Sequence, residues 1–160
     1  MTHVNKYLAT AVMAISLALT GVNAQADVTT LTFEIVNNTS EPLKLNRSSW
    51  DLSLAAPGFF DVDPNSEHSY EANYKTSFGY PRKTPATLRE VISYATGNRE
   101  CTFTTALRVT QSFGVFKPAL SSTRSASATS TGIDDVKCEA RVTEKTDKVP
   151  LDYSVRFTMG

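Results

Sequence analysis

Two cysteines fall on the apolar faces of two alternating segments, and that placement constrains the fold more than any other feature of the chain. Cys101, Phe103, Thr105, Leu107 and Val109 share one face of a run whose other face holds Thr102, Thr104, Arg108 and Thr110. Val136, Cys138, Ala140 and Val142 alternate in the same way with Lys137, Glu139, Arg141 and Thr143. A period of two is what a half-buried strand requires. The cysteines therefore point toward the core of a β structure, and a bridge between them lies inside it rather than on a surface loop. A slip of one residue in either strand turns its cysteine to solvent, so the bridge also fixes register. It closes a loop of about 37 residues, worth about 4 kcal/mol in the chain-entropy account. There is no C-x-x-C and neither cysteine has a histidine nearby in sequence, which leaves a redox or nucleophilic thiol without support.

The same period recurs along the chain. Leu31, Phe33 and Ile35 oppose Thr30, Thr32 and Glu34, and Asn37-Asn38-Thr39-Ser40 is a turn signal. Leu43 and Leu45 resume the apolar face after Pro42, so the opening reads as a hairpin-like pair. Residues 50–86 are less regular, with turns at Pro57-Gly58 and Asp63-Pro64-Asn65 and short strands expected at Phe59–Val62 and Ser69–Tyr74. Leu88–Ala95 is a strand leading through Thr96-Gly97-Asn98 into the Cys101 strand, and the β-branched residues of Thr84–Ser93 favour strand over helix. Ala119–Thr131 is almost entirely Ser, Thr and Ala with one Arg, and reads as a loop with too little apolar surface to offset its ordering entropy. The clearest alternation is the last, with Val149, Leu151, Tyr153, Val155, Phe157 and Met159 on one face. These short antiparallel strands, separated by turn signals, predict an all-β antiparallel sandwich with one buried inter-strand disulfide.

The bridge calls for an oxidising compartment, and the first 26 residues supply one. Lys6 precedes an apolar run from Leu8 to Leu19, and Ala24-Gln25-Ala26 gives the small-x-small pattern of a cleaved signal peptide. The run falls short of the about 20 apolar residues a spanning helix needs. Cleavage after Ala26 leaves 134 of 160 residues as one secreted or periplasmic domain, 27–160. It removes one of 16 basic residues and none of 16 acidic ones, for a net charge of −1 (15 against 16) with His neutral. Such a balance gives no electrostatic case for nucleic acid or for polybasic attachment to anionic lipid. No second long apolar run follows, so no transmembrane segment is expected in the mature chain.

Catalytic groups are scarce. His68 is the only histidine beyond the signal, and no G-x-S-x-G surrounds any serine, so a small hydrolase would have to combine His68 with a carboxylate. One histidine without a free cysteine makes zinc a poor match. Asp61-Val62-Asp63 and Asp134-Asp135 match no EF-hand spacing and read as turn acids, so neither a metal nor a cofactor is expected. Asn37-Asn38-Thr39-Ser40 and Asn46-Arg47-Ser48 contain glycosylation sequons, which matter only in a eukaryotic secretory pathway.

Binding is better provided for. Trp50, Phe59, Phe60, Tyr70, Tyr74, Phe78 and Tyr80 crowd into the least regular segment. Phe59 and Phe60 read as core filling, whereas Trp50, Tyr74, Phe78 and Tyr80 stand beside polar and turn residues and are the candidate binding residues. The alternative is an inhibitor or immunity-type protein that presents Ala119–Thr131 to a toxin or hydrolase.

The run Phe33-Glu34-Ile35-Val36-Asn37-Asn38-Thr39-Ser40, with Leu43 and Leu45 after it, resembles the opening of aegerolysin-like small β-sandwich proteins. Pro64-Asn65-Ser66, Ser93-Tyr94 and Cys101-Thr102-Phe103 follow in a similar order, so the likeness covers about half of the mature chain. The resemblance implies recognition of a membrane lipid, sometimes with a pore-forming partner. Without it, the target class stays open between a membrane lipid and a protein.

Overall fold

The computed structural model describes residues 28–50, 55–75, 85–113 and 118–160. The predicted signal peptide therefore lies outside the described residues. Eight strands form in order: β1 (Val28–Asn37), β2 (Lys44–Ser48), β3 (Ser66–Lys75), β4 (Ala86–Thr96), β5 (Arg99–Phe113), β6 (Pro118–Ser130), β7 (Cys138–Lys145) and β8 (Tyr153–Met159). They build two four-stranded sheets, β3-β1-β8-β7 and β2-β4-β5-β6. Both sheets turn their apolar positions onto one core, in which Phe33, Ile35, Val155 and Phe157 meet Ile92, Tyr94, Phe103 and Leu107. The all-β expectation holds, in a sandwich-like arrangement.

The pairing departs from a purely antiparallel sheet. β1 runs parallel to β8, with Phe33 opposite Val155 and Ile35 opposite Phe157. Both strands of that pair are buried on their inner face at every second residue, and flanking strands cover them on either side. Glu34 and Arg156 clamp the pair on the outer face, with Arg156 Nε donating to Glu34 Oε2 at 2.6 Å. Those bonds hold the Glu34 carboxyl below the usual carboxylate range.

The opening is not a hairpin. β1 and β2 belong to different sheets, because the chain crosses between layers at Asn37–Leu43. Asn37 organises this crossing from a fully buried position. Its side-chain amide donates to the carbonyls of Glu41, Val62 and Asp63 at 2.8, 3.1 and 2.9 Å. Its side-chain oxygen accepts from the Thr39 backbone N–H and hydroxyl at 2.9 and 2.7 Å. Burial also withdraws Asn37 from use as a sequon. Asn37→Ala strands its buried partners at Thr39 and Val62, and a loss of about 2 kcal/mol in unfolding free energy is expected by urea titration.

Three further segments correct the sequence reading. Ala119–Thr131 is no loop: it is nearly all strand β6, paired with β5 from Cys101↔Ser130 to Phe113↔Pro118. Composition misled there because backbone hydrogen bonds, rather than apolar side chains, hold this strand. Its small inward residues, such as Ala126 and Ala128, also suit close approach to β7. Phe59–Val62 is a turn, with Phe59 N–H bonded to Ala56 O and Asp61 N–H to Gly58 O, and only Val62 bridges Leu43. Gly58 supplies the positive φ of +74° that this turn takes. Phe60 packs on the core, but Phe59 is 59% exposed and does not fill it. The last strand begins at Tyr153, since Val149 and Pro150 form a turn ahead of buried Leu151.

Cys101 and Cys138 lie at disulfide distance, their Cα atoms 5.8 Å apart. Cys101 is fully buried on β5, and Cys138 is half-buried at the start of β7. The link thus joins the two sheets, beside the edge where β6 and β7 approach.

Candidate functional site

The aromatic-rich stretch splits into two clusters along β3. One gathers around Tyr70. Phe60 and Phe59 lie 4.9 and 6.4 Å from its ring, His68 stacks on it at 4.6 Å, and its hydroxyl donates to Phe60 O at 2.9 Å. His68 is exposed, and its ring contact is with Tyr70 rather than with a carboxylate. Among the described residues no group of three or more His, Cys, Asp or Glu is placed to hold a metal ion.

The second cluster contains two of the four predicted binding residues. Trp50, just past β2, sets its ring edge-on against core residue Phe33, with centroids 4.4 Å apart at 73°. Its indole Nε1–H donates to the Tyr74 hydroxyl at 2.8 Å. Both rings are half-buried, so each combines a packed apolar body with a polar rim. Their meeting crosses the layers, because Tyr74 stands on β3 of one sheet and Trp50 follows β2 of the other. Phe78 and Tyr80 lie outside the described residues.

Two features beside this pair escaped the sequence reading. Glu90 pairs in register with Thr105, whose side chain is buried, and so turns a carboxylate toward the interior. Ser49 donates to Glu90 Oε2, and the Ser49 hydroxyl accepts from Val91 N–H at 2.9 Å. Burial first, then the hydrogen bond and charge of Glu90, push the Tyr74 hydroxyl well above its ordinary pKa. It therefore stays neutral and able to both donate and accept.

The other feature is Arg124, the single charge in the Ser/Thr stretch, whose side chain is 2% exposed. Its Nη1 donates to Ser122 Oγ at 2.6 Å and Asp147 Oδ1 at 3.1 Å. Nη2 donates to the carbonyls of Thr146 and Leu151, which ties β6 to the β7–β8 turn. Position 124 opposes buried Leu107, so its inward parity was readable once β6 is recognised as a strand. Thr29 Oγ1 donates to Pro150 O and Thr30 N–H to Asp152 Oδ1 at 2.7 Å, anchoring the same turn to β1. Thr29 also stands opposite Tyr74. One end of the sandwich interior is thus polar, with Trp50, Tyr74, Glu90, Tyr153 and Arg124 gathered around it.

This arrangement suits recognition: rings fixed by packing and hydrogen bonds lose little entropy on binding. Among the described residues no helix is long and apolar enough to cross a membrane. Neither protein-family models nor curated proteins give a match to this chain.

Proposed function

We propose that the chain is an exported, non-catalytic binding protein, released by cleavage after Ala26 into a periplasm or the extracellular space. Its target is a membrane lipid or a protein, met through Trp50, Tyr74, Phe78 and Tyr80. The observation that carries this reading is the Trp50–Tyr74 pair, half-buried and hydrogen-bonded between the two layers. In the sequence, Phe78 and Tyr80 follow Tyr74 by four and six residues. Tyr and Trp anchors of this kind carry most of the energy in many interfaces. The aegerolysin-like opening favours a lipid among the two target classes.

The test separates binding from folding. Phe78→Ala with Tyr80→Ala is expected to weaken target capture about ten-fold or more in vesicle sedimentation or in pull-downs from envelope extract. The melting temperature should hardly change. Trp50→Ala is expected to lower both binding and stability, the latter by about 2 kcal/mol, because its ring also covers Phe33. Undiminished capture by the double variant would remove Phe78 and Tyr80 from the recognition surface.

A further inference from the structure

The near-zero net charge conceals a segregation between the two outer faces. On β2-β4-β5-β6, Lys44, Arg47, Arg89 and Arg108 occupy outward register positions, and all four are exposed. None forms an ion pair among the described residues. Glu100, opposite Ala95, is the one carboxylate in outward register on this face among the described residues. The outer face of the other sheet instead mixes Glu34, Glu67, Glu71, Glu139 and Glu144 with Lys75, Arg141 and Arg156, and its Arg156 is taken up by Glu34.

The cations sit in a field of hydroxyls. Thr102 stands opposite Thr129 and Thr104 opposite Ser127, while Arg108 stands opposite Thr123. Arg47, Ser93, Thr102 and Thr129 form one continuous row across all four strands. Within that row Ser93 is 1% exposed, and its Oγ lacks a hydrogen-bond partner among the described residues. The large exposed apolar residues of the described structure, Val28, Phe59, Leu120, Ile133 and Val149, are not among these outward cations and hydroxyls.

We infer that this face docks an acidic polysaccharide. Unpaired guanidinium groups match carboxylates bidentately, and rows of hydroxyls both donate to and accept from sugar hydroxyls. A bilayer fits less well, because stable membrane attachment combines charge with an apolar anchor and the outward positions of this face hold no large exposed apolar residue among the described residues. Single-stranded nucleic acid fits less well too, since it calls for aromatic stacking platforms. This surface is distinct from the Trp50–Tyr74 end and does not depend on the function proposed for it.

The probe is carboxymethyl dextran, with unmodified dextran as the neutral control of the same backbone. The purified disulfide-bonded chain should bind the acidic polymer and not the neutral one, and added salt should release it. Arg89→Gln with Arg108→Gln should weaken binding about ten-fold, at an unchanged melting temperature, because both side chains are exposed. Arg141→Gln on the opposite face should leave it unaltered. The inference fails if the double variant binds as well as the parent, or if neutral dextran binds equally. It fails equally if Arg89→Gln with Arg108→Gln weakens the binding of anionic vesicles or of a polynucleotide more than that of the polysaccharide.

Discussion

Removing the Cys101–Cys138 link, by reduction or by Cys101→Ala with Cys138→Ala, is expected to lower the melting temperature by about 10–20 °C. The bond closes a loop spanning 37 positions, and releasing that loop adds about 4 kcal/mol of conformational freedom to the unfolded chain. For a domain between 100 and 150 residues each kcal/mol shifts the midpoint by about 3–5 °C. The native side loses something as well, because the link ties β5 of one sheet to β7 of the other. No hydrogen-bonded ladder joins those sheets at that edge, where β6 and β7 approach unpaired. Calorimetry with and without reductant measures the difference. A midpoint that moves by less than about 3 °C would mean that the two sheets are held together without the link.

The placement of that link was legible in the sequence because alternation reports which side of a strand is buried. Cys101, Phe103, Thr105, Leu107 and Val109 were assigned to one face by periodicity, and all five are buried. Alternation does not report which strand pairs with which. The β1–β8 parallel pair joins residues more than a hundred positions apart, and nothing local to Phe33 or Phe157 announces it. Nor does alternation among small residues register as hydrophobic pattern, which is why β6 read as a loop. Its period is present in Ala126 and Ala128 against Ser125 and Ser127, but the contrast between Ala and Ser is too weak to mark a face.

The candidate site was half legible for a related reason. Trp50 and Tyr74 were singled out as aromatic residues among polar ones, yet the bond between them needs the two sheets to be stacked. Glu90 went unnoticed because a carboxylate in a strand reads as solvent-facing. Only its register opposite Thr105 turns it inward. The face carrying Arg47, Arg89 and Arg108 was hidden by summation, since a net charge is blind to how opposite charges are divided between two sheets.

Phe157→Ala is expected to cost about 4 kcal/mol of unfolding free energy, a large share of the about 5–15 kcal/mol that such a domain possesses. Phe157 is fully buried on β8, between β1 and β7 in its own sheet. Its ring stacks at 4.7 Å and 12° on Phe103 of the opposite sheet and lies 6.2 Å from Phe33. Truncation therefore opens a cavity where the two layers meet, and it removes an aromatic pair worth about 1 kcal/mol beyond its buried area. Phe157→Leu retains most of the volume and should cost about 1.5 kcal/mol, whereas Phe59→Ala, at 59% exposure, should cost no more than about 0.5 kcal/mol. Urea titrations of the three variants give the ordering directly. If Phe157→Ala proved no worse than Phe59→Ala, the stacked rings could not be what joins the layers.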